Sequence, residues 1–181
     1  TMNNSLTKGA YYSGLQTFPE ERCVKIVNPL SSDLNVMRQT LILNGLEVIA
    51  YNVNRQISSL RTFEYGSVYQ RLPGTDGKTL ASYEEHQCFA MFLSGPNAKS
   101  WRMGEQKGNY FQLKGYFEQL CRRYAIDLYT METEAAPSDI FSEGIVYRLP
   151  GTHEVFATLG TVSPALAKKF DVRQPVFAVE I

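Results

Sequence analysis

The sequence has no net charge, no long apolar run and no pairing pattern among its cysteines. Lys and Arg total 18, Asp and Glu total 18, and the formal charge at pH 7 is zero. Phosphate neutralisation supplies most of the affinity of nucleic-acid binders, which show a basic excess. The balance here therefore argues against an autonomous RNA or DNA module. No apolar run reaches the length of about 18 residues that a membrane-spanning helix needs, so no membrane segment is expected. Cys23, Cys88 and Cys121 are odd in number and widely spaced, with no CxxC pair. They read as three reduced thiols of a cytoplasmic protein, not as a disulfide framework or a zinc site. The start, Thr1-Met2-Asn3-Asn4-Ser5, has neither a basic nor an apolar segment, so no signal peptide is expected.

What is present fits a packed globule. The chain has 181 residues, 44% of them hydrophobic and 12% aromatic, enough to bury about two-thirds of the unfolded surface without a staple. Val24 to Val27 reads as a strand ended by Asn28-Pro29. Leu30-Ser31-Ser32-Asp33 reads as a turn whose hydroxyl and carboxylate groups are able to cap a short helical turn after it. Ile42, Leu46, Ile49, Ala50 and Val53 form one stripe of a helix at about Thr40 to Asn54, with Gly45 inside it suggesting close packing.

Further along, Arg61 to Leu72 reads as one strand with a kink at Gly66, and Pro73 to Gly77 as a turn. Glu85 to Ser94 is an apolar strand, and Gln112 to Ala125 an amphipathic helix with Leu113, Tyr116, Phe117, Leu120, Cys121 and Tyr124 on its stripe. Asp127 to Thr133, Gly144 to Leu149 and Glu154 to Val162 read as strands. Ser163-Pro164 opens a short helix to Phe170, and Pro175 to Ile181 is a last alternating strand. This interleaving is an α+β pattern around one mixed, mainly antiparallel sheet flanked by helices.

No self-evident catalytic set emerges. Gly74-Thr75-Asp76-Gly77-Lys78-Thr79 fails as a phosphate loop, because the required earlier glycine is Leu72 and no apolar helix follows. His86 and Cys88 share a strand face, but two ligands do not make a zinc site and His153 is distant in sequence. Glu84, Glu85, Glu132, Glu134 and Glu143 read as solvated carboxylates. Trp101, the single tryptophan, reads as the cover of a core edge. Arg38 and Glu64 stand out, each a charge inside an apolar run, and such charges pair or bind something. An Arg38–Glu64 pair is expected.

The run Asn28-Pro29-Leu30-Ser31-Ser32-Asp33-Leu34-Asn35-Val36-Met37-Arg38-Gln39-Thr40-Leu41, followed by Tyr51-Asn52-Val53-Asn54-Arg55, resembles the core of the bacterial phenylalanyl-tRNA synthetase beta subunit. Phe63-Glu64-Tyr65-Gly66 is similar to that family's FExG strand. Ser94-Gly95, Trp101, Tyr110 to Gly115, Leu159 to Pro164 and Phe170 to Val172 keep its order. The positions carrying the resemblance are Asn28, Pro29, Arg38, Asn52, Arg55, Phe63, Glu64, Gly66, Lys114 and Gly160. One departure is Gly144 to Thr152, where many members have His-Pro-Gly-Arg, which leaves the packing of that region open.

The resemblance implies a class II aminoacyl-tRNA synthetase-like core that has lost its chemistry, residues 1–181 being one domain excised from a longer subunit. It implies an alpha-subunit partner in a heterotetramer of two alpha and two beta subunits, ATP and magnesium used by the whole enzyme, and tRNA bound by the whole enzyme. It implies no catalytic residue, no cofactor and no metal here. A class II site places arginines on the ATP phosphate and adenine. Gly160-Thr161-Val162-Ser163-Pro164 offers none, and Phe63-Glu64-Tyr65-Gly66 offers no arginine–acid pair. The alternative is a vestigial module still holding an amino acid or nucleotide in the cleft.

Overall fold

The computed structural model describes residues 1–29, 31–97, 104 and 106–181. Leu30 and Trp101, both named above, lie outside the described residues. Six strands form one sheet in the order β3 (Leu60–Arg71), β4 (Tyr83–Ser94), β8 (Val176–Glu180), β7 (Val155–Val162), β6 (Phe141–Arg148), β5 (Glu132–Ala135). Every neighbouring pair in it is antiparallel, so the expected mixed character is absent and the antiparallel character complete. A separate two-stranded ribbon pairs β1 (Leu6–Thr7) with β2 (Val36–Met37).

Helix α1 (Leu41–Val53) starts where its sequence says. Thr40 is extended and its hydroxyl accepts the Ile42 amide at 3.0 Å, satisfying one of the orphan N–H groups of the first turn. The stripe Ile42, Leu46, Ile49, Ala50, Val53 lies on one sheet face with Ala90, Phe92, Val176 and Ala178. Helix α2 (Tyr110–Arg123) covers the other face through Leu113, Phe117 and Cys121, against Leu93, Leu159, Phe177 and Val179. Tyr116 and Tyr124 of the expected α2 stripe are exposed instead. Helix α3 (Pro164–Lys169) begins with Ser163 at the N-cap position, although its side chain makes no capping bond.

Four local expectations are corrected. Val24 to Val27 is not a strand: Lys25 makes one bridge to Val36, held by Ile26 N to Asn35 O and Met37 N to Val24 O, before Pro29 ends the pairing. No helical turn follows Asp33; the Ser31 hydroxyl accepts the Asp33 amide at 3.0 Å and the chain runs into β2. Asp127 to Thr133 splits, because the Asp127 carboxylate accepts the Tyr129 amide and curls Leu128–Thr130 into a 3-10 turn, leaving β5 only four residues. Nor is β3 kinked at Gly66; its twelve residues pair continuously with β4.

The segment before β2 is clamped to the sheet by Asp139. Its carboxylate accepts the Gln16 and Thr17 amides at 2.8 Å and the Thr17 hydroxyl at 2.6 Å. Burial pushes this carboxyl up, but the bonds from Thr17 and Gln16 outweigh it and hold it below the ordinary aspartate value. A depressed folded value stabilises above the unfolded pKa, and the effect is lost as pH falls through the folded one. Asp139→Asn should therefore cost about 1 kcal/mol at pH 7, the loss of charge on these hydrogen bonds. Urea melts at pH 7 and pH 2.5 check it: the difference should shrink at the lower pH, and an equal difference at both would sink the assignment.

Candidate functional site

Two neighbouring features use most of the buried charge. The first is the ionic node of Arg38 and Glu64. Even-numbered residues of β3 face α1, so Glu64 and Gly66 share the face against which Arg38 lies. Arg38 Nη1 donates to Glu64 Oε1 at 2.7 Å, with the two side chains 3% and 1% exposed. Arg38 Nε donates to Ser67 O at 2.9 Å. The other acceptor capacity of Glu64 goes to Asn3, whose amide N–H donates to Oε1 at 3.1 Å and whose side-chain amide donates to Oε2.

Gly66 makes room for the guanidinium. A Cβ there would stand 2.2 Å from Arg38 Nη2. The backbone of Arg38 is pinned as well, its N–H donating to Ser5 O and its C=O accepting from Tyr69 N. The expected Arg38–Glu64 pair is thus present, with Gly66 as its third member and Asn3 as an unforeseen fourth.

The second feature is a groove. Glu180 of β8 lies opposite Ala90 of β4 and Thr158 of β7, and Ile181 after it exchanges both backbone hydrogen bonds with Phe89. A cavity beside this end of the sheet has a volume of about 700 Å³ and is lined by Val68, Cys88, Val146, Thr158, Phe18 and Glu180, among others. Glu180 sits at the N-terminus of α1: its Oε1 accepts the Leu41 amide at 2.6 Å and its Oε2 the Thr40 hydroxyl at 2.8 Å. Burial pushes this carboxyl up; the bonds from Leu41 and Thr40 and the Arg38 charge oppose it. Burial first, then the Glu180 charge, push the Cys88 thiol up to about 12. Cys88 is therefore a neutral wall and not a nucleophile.

The remaining named residues do not join these features. Asn28 and Pro29 are exposed in the loop before β2. Asn52 bonds Val48 O within α1, and Arg55 lies over the Tyr51 ring at 3.4 Å. Lys114 pairs with Glu118 one turn away on α2, at 3.7 Å. Phe63 is 61% exposed on the opposite face of β3 from Glu64. Gly160 stands across from Gly144, and a Cβ on it would meet Glu143 O and a ring carbon of Phe141, each at 2.6 Å. Through this close pair β6 and β7 keep register from Glu143 to Tyr147, with register shifts between Phe141 and Glu143 and between Tyr147 and Arg148.

His86 reaches Glu84 at 3.3 Å and His153 reaches Glu132 at 2.8 Å. Arg148 pairs with Glu134, its Nε donating at 2.8 Å. Gly74 to Thr79 belongs to the β3–β4 connection, where the Asp76 carboxylate accepts the Lys78 amide. Among the described residues no group of three or more His, Cys, Asp or Glu could hold a metal ion, and no helix is long and apolar enough to cross a membrane.

The groove does not fit a nucleoside triphosphate. Its only lining arginine, Arg148, is engaged by Glu134, and the helix N-terminus where an anion would sit already holds Glu180. Glu180 was missed in the sequence, although a charge closing the run Val176-Phe177-Ala178-Val179 is the same signal that marked Arg38 and Glu64.

The model of the phenylalanyl tRNA synthetase beta chain CLM domain matches residues 1–181. The chain belongs to this family. Phenylalanine–tRNA ligase beta subunits of Bacteroides fragilis and Porphyromonas gingivalis are each 36% identical over 183 residues, covering 99% of this chain and 22% of the relative. That of Syntrophotalea carbinolica is 30% identical over 90% of the chain. The chain thus spans about a fifth of the length of these beta subunits. Two structures of pyrrolysyl-tRNA synthetase from Desulfitobacterium hafniense superpose over the full chain with TM-scores of 0.64 and 0.67, at 12% and 11% identity, covering 58% and 59% of those chains. They show a class II synthetase fold for this family member.

Proposed function

We propose that this domain is a non-catalytic scaffold, one part of a longer phenylalanine–tRNA ligase beta subunit that holds the catalytic alpha subunit. In this reading the whole cytoplasmic enzyme, two alpha and two beta subunits, charges tRNA with phenylalanine using ATP and magnesium, and this domain binds neither. The observation that carries it is the internal use of charge around α1 and the groove: Arg38 is held by Glu64, Arg148 by Glu134, and the α1 N-terminus by Glu180. No cation lining the groove is left to receive developing phosphate charge among the described residues.

The surface offered to the alpha subunit lies on β3 and β4, on the face opposite the node. Phe63 and Tyr65 are 61% and 66% exposed there, and Phe89 stacks against Phe63 with ring centres 5.9 Å apart. Aromatic clusters of this kind supply interface anchors.

One experiment tests both halves. The protein should show no phenylalanine-dependent ATP–pyrophosphate exchange alone, yet co-elute with the alpha subunit, and Phe63→Ala with Tyr65→Ala should weaken association about tenfold. Exchange above background that Arg38→Ala abolishes, or no co-elution, would overturn the reading.

A further inference from the structure

We propose that a second cavity, between the C-terminal half of α2 and the β5–β6 edge of the sheet, binds a small neutral aromatic molecule whose one hydrogen-bonding group meets the Tyr147 hydroxyl. The cavity forms because the chain doubles back after α2. Ala125 takes a left-handed conformation (φ 56°) and the Ile126 amide donates to Cys121 O at 2.9 Å, satisfying a carbonyl of the last turn. The Asp127 carboxylate then curls Leu128–Thr130 into the 3-10 turn that leads into β5. Ile145 and Tyr147, alternate residues of β6, share the sheet face that α2 covers, and Thr133 of β5 lies opposite Tyr147. The volume of about 700 Å³ lies within the range of roughly 300–1,000 Å³ typical of small-molecule sites.

Two observations point to a ligand. Tyr147 is 5% exposed, yet its hydroxyl has no hydrogen-bond partner among the described residues. The titratable groups that act on this hydroxyl, those of Glu118, Cys121 and Tyr129, all line the cavity, which sets it at the cavity wall. Around it Ile126, Leu128, Met131 and Ile145 are only partly buried, and the Tyr129 ring is 99% exposed. The charged lining selects the class. Lys114 and Arg122 stand against Glu118 and Asp127, two charges of each sign. Lys114 and Glu118 pair at 3.7 Å with side chains 31% and 43% exposed, while Arg122 and Asp127 are exposed. No net charge rewards an ion for the hydration it gives up here, whereas a neutral molecule bears no such cost. Burial first, then the Glu118 charge, push the Tyr147 hydroxyl up, and burial does the same to the Cys121 thiol, so both are neutral walls. The sulfurs of Cys121 and Met131 and the Tyr129 ring favour an aromatic body over an aliphatic one.

This goes beyond the scaffold reading and is independent of it. Scaffolding is read by co-elution, ligand binding by titration, and either can fail while the other stands. The probe is p-cresol, compared with toluene and with p-toluate, each titrated into the 15N-labelled protein. p-Cresol should shift the amides of Cys121, Ile126, Thr133 and Tyr147 saturably, with toluene about fivefold weaker for want of the hydrogen bond and p-toluate weaker still. Tyr147→Phe keeps the ring beside Phe117, their centres 5.6 Å apart, and removes only the unpartnered hydroxyl. It should bind p-cresol and toluene alike. If that variant does not fold, the comparison of the three probes on the unaltered protein still decides. A full-length beta subunit carrying this domain should bind p-cresol as well; loss of binding there would mean that another part of the subunit fills the cavity. That loss, absence of saturable binding, shifts confined to other residues, equal binding of p-toluate, or a p-cresol advantage that survives in Tyr147→Phe would each overturn the proposal.

Discussion

Glu64→Ala is expected to destabilise the protein by about 3–5 kcal/mol, the cost of leaving a buried charge without its partner. Arg38 is 2% exposed and cannot turn to solvent, because its Nε is held by Ser67 O and its backbone is pinned on both sides. Guanidinium does not deprotonate in proteins, so the lost charge cannot be answered by neutralisation. Asn3 loses its acceptor at the same stroke. Domains of this size have about 5–15 kcal/mol in total, so the variant should be close to half unfolded under mild stress. Paired Arg38→Met and Glu64→Leu should recover most of the loss, since apolar replacement of a whole buried pair is often neutral or better. Urea melts of the three proteins check this. A Glu64→Ala loss below about 1 kcal/mol would mean that water reaches the node.

The same node shows what was legible in the sequence. Arg38 and Glu64 were visible because a charge within an apolar run has few physical excuses, and their pairing followed. Gly66 was seen as a kink and proved to be a clearance, since a sequence does not say which side chain crosses a strand. Asn3 was invisible because a polar residue in a polar stretch carries no signal. The α1 and α2 boundaries came within about two residues, as apolar periodicity and capping agree there. Short pairings did worse. The Lys25 bridge and the 3-10 turn after Asp127 depend on which neighbour supplies the next hydrogen bond, and strand propensity does not contain that information.

Gly45→Ala sets two magnitudes of opposite sign against each other. Alanine in a helix interior is worth about 1 kcal/mol more than glycine, so α1 taken alone should gain. In the fold, a Cβ at position 45 would lie 2.2, 2.4 and 2.6 Å from three ring carbons of Phe92. Phe92 is 2% exposed on β4, enclosed in the core between α1 and the sheet. Its ring cannot retreat without moving β4, which is paired on both sides by β3 and β8. Overpacking of this kind costs about 1–3 kcal/mol and occasionally more, and three simultaneous overlaps place this case at the upper end. The net expectation is a loss of about 2 kcal/mol. Phe92→Leu in the Gly45→Ala background should restore part of it by freeing the space, although Phe92→Leu alone destabilises. A double-mutant cycle by urea unfolding reads the coupling directly. Additive losses would show that α1 can shift away from the sheet, and the packing account of Gly45 would then be wrong.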